Sequence, residues 1–391
     1  MTPAARADVV IVGAGLFGTS IAFQLARRRA GSVLLLERAT VGAGDSGVCF
    51  SMLRRHYSNE VTARLAVRGV EVIQRWAEEV GTGDSGYVRT GYLLAATREH
   101  LPALEENVRR LVSWGVDTRA VTPAEIAGLE PLLALDRIAG GAYEPDGGFA
   151  DAQTMTLAWF AAALAEGAEA RLGCRVTALR AERGRVAGVE TDAGPIAAAA
   201  VVLAAGAWTP ELARTAGVEV PLSLQRIQVG LLRQPAGRPQ VRLTLSDLAS
   251  GLVLRPDRAG IALAVAYQPV EPVAARDECR REVDAGYETA VRAALRQRLP
   301  AYAEAEWLGG FAGTYDGTPD WNPILGFAPG VEGLYLALGS GHGFKLAPAV
   351  GEVVADEIVG RRPAIDVSAL GLGRFGRGEL LRLAYGPSAK A

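Results

Sequence analysis

Two short stretches carry residue types and spacings that can do chemistry. Near the N-terminus, "VIVGAGLFG" sets Gly13, Gly15 and Gly18 at the GxGxxG spacing. Gly13 permits a tight turn, Gly15 lets the main chain approach a pyrophosphate, and Gly18 allows close helix–strand packing. Leu16 and Phe17 open the helix, whose free N–H groups and partial positive charge suit phosphates. Glu37 ends the next strand, with Arg38 beside it, where a carboxylate can accept hydrogen bonds from ribose hydroxyls. The second stretch is "GSGHGFKLAP". It holds Lys345, which with Lys390 makes up the only lysines among 41 basic residues. A compact ammonium in a glycine turn suits a carboxylate or a ring carbonyl where a guanidinium is too large. The plainer reading is a solvated cation at a helix end.

Around these stretches lie further candidates. Gly339, Gly341 and Gly343 let the backbone come against a planar ring, and the helix from there to about Val359 points its positive end at it. Phe344 lies in that turn, and Pro348 is expected in the first helical turn. His342 either faces a bound ring or bonds a neighbouring carbonyl. "MLRRHYS" supplies Arg54 and Arg55, of which one is suited to bidentate carboxylate recognition. His56 and Tyr57 either face the cofactor or enter the core. Tyr315 and Tyr267 are candidate pocket-lining residues, while Trp208 and Trp321 read first as packing.

Regular elements must position these groups. The run from Ala7 to Glu37 reads strand, turn, helix, strand. A loop with Gly44, Asp45 and Ser46 passes near the pyrophosphate, followed by an amphipathic helix over Asn59–Val80 with Val61, Leu65, Val72, Ile73 and Trp76 inward. Residues 98–114 read as a surface helix, "TPAE" from Thr122 as a capping box, and Asp151 as the cap of the next helix. Strands follow at 175–179, 186–191 and 196–204, the last running into Ala205 and Gly206. Residues 222–319 alternate as strands around one long helix at 277–299.

With 391 residues, 49% apolar, 21% charged and 47 glycines, the composition is that of a turn-rich soluble α/β chain of two domains or one composite one. A net charge of −2 gives no footprint for nucleic acid. Cys49, Cys174 and Cys279 form no CxxC pair, arguing for a reducing cytoplasm and against disulfides or zinc. The opening apolar run lacks a cleavage pattern, and "PIAAAAVVLAAGAW" is too short to span a bilayer, so a cytoplasmic protein is expected.

In order, "VVIVGAGLFGTSIAFQLA", "CRVTALR", "VVLAAGAW", "TPDWNPILG" and "GSGHGFKLAP" resemble the FAD-dependent D-amino acid oxidase and sarcosine oxidase superfamily across essentially the whole chain. "LRRHYSNE" and "SGHGFK" look most similar to β-subunit-type sarcosine oxidases and to dimethylglycine or proline dehydrogenases. The resemblance implies an α/β fold. A discontinuous, Rossmann-like FAD domain of the glutathione-reductase type (1–85, 143–215, 318–391) stands beside an α+β substrate domain with a large, mostly antiparallel sheet (86–142, 216–317). It implies FAD contacts at Val176 and at the turn of Ala205, Gly206 and Trp208. It also implies that Lys345 and an arginine hold the substrate carboxylate, Arg54 by position and Arg55 as the neighbouring alternative, with His342 and Tyr315 alongside.

The implied reaction oxidises a secondary or N-methylated amino acid by hydride transfer to flavin N5, followed by imine hydrolysis. Gly313 stands where such enzymes attach FAD through cysteine, so non-covalent FAD is expected. Residues 216–317 hold no lysine where those enzymes activate oxygen, which favours another electron acceptor. Two alternatives are oxidation of a primary amino acid and a flavoprotein subunit of a larger complex. The first lacks its arginine in "GTYDGTPD". Expected partners are the amino acid, an electron acceptor, and partner subunits or a second copy.

Overall fold

The computed structural model describes residues 5–235, 237, 239–266, 268, 269 and 271–385; Tyr267 and Lys390 lie outside the described residues. Ala5–Val12 is the central strand of an eight-stranded sheet. Its continuous apolar run follows from burial on both faces. Val9 and Ile11 enter one core with Leu25, Met155 and Val350, whereas Val10 and Val12 enter another with Leu179, Val189 and Leu212. Val33–Glu37 and Gly194–Leu203 flank it in parallel, with Glu169–Leu172 and Leu334–Leu338 beyond them.

Helix Leu16–Arg27 is buried from Leu16 to Ala26, packed between Ala152–Ala165 and Gly343–Ile358. Helix Glu60–Gln74 crosses the Gly343–Ile358 helix at Gly69, where a Cβ would stand 1.9 Å from the Lys345 carbonyl oxygen. The helix expected over Asn59–Val80 is interrupted: Arg75 turns at φ −106°, ψ 33°, and Trp76–Glu79 forms its own turn. Leu65, Val72, Ile73 and Trp76 are buried as expected, and Val61 only partly. Thr122 makes the full capping box, and Asp151 accepts the Thr154 N–H at 2.8 Å. Pro348 sits beyond the first turn of its helix, which starts at Gly343.

Among the described residues the second sheet has nine strands, of which only Tyr92–Ala96 and Thr244–Asp247 pair in parallel. One face covers a core that includes Leu93, Leu232, Leu254 and Val291; the other faces the first sheet's strand ends. The helix expected at 277–299 begins at Tyr287. Residues 276–278 are a 3-10 turn instead, because Arg276 and Asp277 reach Asp45 (2.8 Å) and Arg38 (2.6 Å). Strand Gly140–Glu144 runs through the expected boundary at 142/143. Among the described residues no helix is long and apolar enough to cross a membrane.

Candidate functional site

The carboxyl ends of the first sheet's strands and one face of the second sheet enclose a cavity of about 1560 Å³. This is where an open parallel sheet binds ligands. Val12, Glu37 and Ala204 supply the strand ends, and Ile227, Val265 and Tyr315 part of the roof.

At one end the wall is main chain. Gly13 turns at φ +103°, where a Cβ would lie 2.6 Å from the Ala204 carbonyl oxygen. Gly18 sits beneath it and does not line the cavity: a Cβ there would meet the Gly13 oxygen at 1.8 Å, so this glycine serves helix–strand packing. Gly15 is the helix cap and has no side chain to offer; the Leu16 N–H donates to Ser46 Oγ at 3.1 Å. Glu37 accepts the N–H groups of Ala14 and Ala39, each at 2.9 Å, and its oxygens keep further lone pairs facing the cavity. Arg38 forks onto Asp277 and lies 4.0 Å over the Trp208 ring, so both residues belong to the cavity rim. The arginine–aspartate bond holds the Asp277 carboxyl down at about 2. Val176, Ala205, Gly206 and Gly44 also line this end. Asp45 lines the cavity as well. Its carboxylate is engaged by Arg276 and by the N–H and hydroxyl of Thr314, tying the loop to the roof.

At the other end the wall is side chains. Arg54 and Lys345 both line the cavity and lie 4.6 and 5.7 Å from the centroid of one ring, Tyr57. Both are buried, at 5% and 6% exposure, and neither has an ion-pair partner among the described residues. Burial, reinforced by Arg54, lowers the Lys345 ammonium to about 7. Arg55 points elsewhere, with Nε 3.7 Å from Glu144, and does not line the cavity. Uncompensated buried cations are costly, by several kcal/mol per ion in real proteins. An anion entering here relieves that cost.

The glycine turn is more self-supporting than the sequence suggested. A Cβ on Gly341 (φ +69°) would lie 2.0 Å from the Tyr315 ring, and one on Gly339 would lie 2.8 Å from Gly343 Cα. These glycines are therefore required by protein packing, while Gly339, Gly341, Gly343 and Phe344 still line the cavity. Gly343 faces Phe17, 3.4 Å from a would-be Cβ. His342 is buried edge-on to Tyr57 (5.5 Å) and Tyr315 (6.0 Å) and does not line the cavity, so its ring stands behind the wall. His56 and Tyr57 are likewise behind it. Tyr315 and Trp321 do line it, and burial raises the Tyr315 hydroxyl to about 12. A Cβ on Gly313 would lie 2.9 Å from Val48 Cγ2, and the glycine itself carries no group that could link to a flavin.

Several residues of the site escaped the sequence reading. Asp316 accepts the Gly341 N–H at 2.6 Å, and burial raises its carboxyl to about 7. Thr318 bonds Ser340 (2.9 Å) and the Asn322 carbonyl (2.8 Å); Asn322 in turn accepts from Thr62 at 3.0 Å. This network ties the Lys345 turn to the helix after Arg54. "TPDWN" was the available signal, a dense run of turn-forming polar residues. Cys49 also lines the cavity, its thiol raised by burial. Among the described residues no group of His, Cys, Asp or Glu could hold a metal.

A mixed sheet whose central strands run parallel, with a glycine cradle at their carboxyl ends and a second sheet as roof, is the architecture of a dinucleotide-binding protein. The chain belongs to the FAD dependent oxidoreductase family, whose model matches residues 8–357. It is 28% identical to the mouse mitochondrial pyruvate dehydrogenase phosphatase regulatory subunit, over 95% of this chain and 43% of that protein. It is 28% identical to mouse mitochondrial sarcosine dehydrogenase, over 94% of this chain and 41% of that protein. The chain thus spans less than half the length of these two relatives. Among solved structures, L-proline dehydrogenase from P. horikoshii superposes with a TM-score of 0.89 at 28% identity, covering 97% of this chain and 100% of that one. The cavity fits FAD, with a backbone cradle for phosphates at one end and room beneath the roof at the other.

Proposed function

We propose that this chain oxidises the C–N bond of a small amino acid, secondary or N-methylated, whose carboxylate is held by Arg54 and Lys345. The observation that carries the reading is a pair of buried cations that make no ion pair among the described residues, in the same cavity as the glycine cradle. The names of the similar proteins, sarcosine dehydrogenase and L-proline dehydrogenase, support the substrate class.

Gly13, Gly15 and Leu16 would hold the FAD phosphates, Glu37 the ribose, and Gly343 to Lys345 the ring. FAD, when bound, supplies the hydride acceptor, and Gly313 leaves it without a covalent link. Arg54 offers a planar fork to a carboxylate and Lys345 a point charge, which together fix one end of the substrate. Two cations beside the amine favour its neutral form, which is the form that can release hydride from carbon, so no dedicated base is required. Tyr315 and Trp321 line the cavity and would limit the space for the substrate.

The strand composition of the two sheets supports the domain division of cofactor residues 1–85, 143–215 and 318–391 from the rest, apart from the strand crossing 142/143. The absence of lysine between 216 and 317 supports an acceptor other than oxygen. A flavoprotein subunit is the second reading, favoured by the relative named a regulatory subunit and by the greater length of both relatives. Anaerobic mixing with N-methyl amino acids, proline and glycine decides between them. Bleaching of the yellow chromophore by a secondary amino acid is expected, and no bleaching by any of the panel overturns the substrate class. Hydrogen peroxide release in air would overturn the acceptor reading.

A further inference from the structure

The tail after Arg374 returns to the loop that carries Arg54. The Leu381 N–H donates to Asp320 at 3.1 Å. Asn59 accepts the Arg382 N–H at 3.2 Å and donates to the Arg382 carbonyl at 2.8 Å. The Ala384 N–H donates to Ser58 Oγ at 2.9 Å. Tyr385 closes this strap. It is 7% exposed, its ring stacks on His56 at 5.8 Å with 22° between the planes, and its hydroxyl bonds His56 Nε2.

His56 is therefore held by its ring. Asn107 Nδ2 lies 3.1 Å from the same nitrogen. Burial, with Arg54 nearby, lowers the imidazole to about 3, so the ring is neutral, and Nε2 meets the tyrosine hydroxyl in a hydrogen bond whose direction the tautomer sets. The main-chain carbonyl of the same residue accepts a hydrogen bond from Arg54 Nη1. A side chain of the C-terminal tail thus grips the residue whose carbonyl grips the guanidinium. Tyr385 itself does not line the cavity.

We propose that Tyr385 is a positioning residue for the anion site, fixing the Arg54 guanidinium through His56 and making the C-terminal strap part of substrate recognition without touching substrate. This rests on Arg54 being an anion ligand. A guanidinium with no carboxylate partner depends on such neutral bonds to keep one orientation, and each rotamer held in advance is one that binding need not freeze.

The test is a double-mutant cycle on the full-length holoenzyme, with Tyr385→Phe and Arg54→Gln, titrated with acetate while the flavin absorbance is followed. Tyr385→Phe is expected to weaken acetate about three- to tenfold, one hydrogen bond's worth, and to raise KM without matching loss of kcat. FAD affinity stays unchanged. In the Arg54→Gln background the same substitution has no further effect. Ser58→Ala, which unties Ala384 and leaves the tyrosine in place, weakens acetate in the same direction by less. Unchanged acetate affinity in both strap variants, or an equal loss in both arginine backgrounds, overturns the proposal and leaves the Arg54 reading standing. Acetate binding of wild-type strength in Arg54→Gln alone overturns the Arg54 reading itself.

Discussion

The two ends of the cavity are built by different means. Near Gly13 the wall is backbone, and specificity comes from what is missing: side chains that a phosphate could not pass. Near Lys345 the wall is made of side chains, and the recognition proposed there is by charge. The first end is built from neighbours in sequence and the second from residues brought together only by folding. Backbone recognition tolerates no added atoms, whereas charge recognition tolerates substitution with a graded loss of affinity.

The largest effect tests the backbone end. Gly13→Val forces a branched residue to φ +103° and drives its Cβ towards the Ala204 oxygen, 2.6 Å away. Strain and clash together cost about 4 kcal/mol or more, so the protein is expected to purify without flavin, read as the flavin-to-protein absorbance ratio.

Adjacent arginines sharpen the comparison at the charged end. Arg54→Gln is expected to lower kcat/KM by about 2–5 kcal/mol, roughly 30- to several thousand-fold, with the melting temperature little changed. Arg55→Gln does the reverse. It leaves Glu144, fully buried, without its cation and costs about 3–5 kcal/mol of stability, while substrate affinity moves less than about threefold.

A smaller, continuous effect comes from pH. Lys345 sits at about 7 in the ligand-free protein, below its ordinary 10.5. The folded state therefore holds fewer protons than the unfolded chain between those values, and Lys345 makes stability rise with pH there. Binding runs the other way. Acetate affinity is expected to fall as pH rises above about 7, by up to about tenfold per unit, as the ammonium is lost. Lys345→Met should abolish that slope. Arg54, Cys49, Tyr57 and Glu144 surround this lysine, and Asp316, raised to about 7, titrates in the same pH range. Asp316→Asn should therefore keep the slope. The smallest effect is Thr122→Ala, which removes a helix cap far from the cavity and costs about 1 kcal/mol with FAD content and kinetics unchanged.

The backbone end was legible in the sequence because its signal is local. Glycine spacing, a β-branched strand and an acidic residue at the end of the next strand all fall within one βαβ unit. Thr122 and Asp151 were legible as caps for the same reason. Arg54 and Arg55 are the contrary case: alternating side chains on one loop point to opposite sides, and only the position of Glu144 on a distant strand decides which stays unpaired. His342 was left open between two readings because nothing local reveals that Tyr57 and Tyr315 pack edge-on against it. The helix expected from 277 lost its first turn and more to ion pairs with Arg38 and Asp45, partners from the other end of the chain. Asp316 and Tyr385 act through tertiary contacts alone.

The central claim is that Arg54 and Lys345 form one anion site beside the flavin. It is tested most directly by titrating the anaerobic holoenzyme with acetate in the wild-type, Arg54→Gln, Lys345→Met and doubly substituted proteins. A perturbed flavin spectrum in the wild type, weakened by each single change and lost in the double variant, is the predicted result. A spectrum that responds to acetate equally in all four proteins would contradict it.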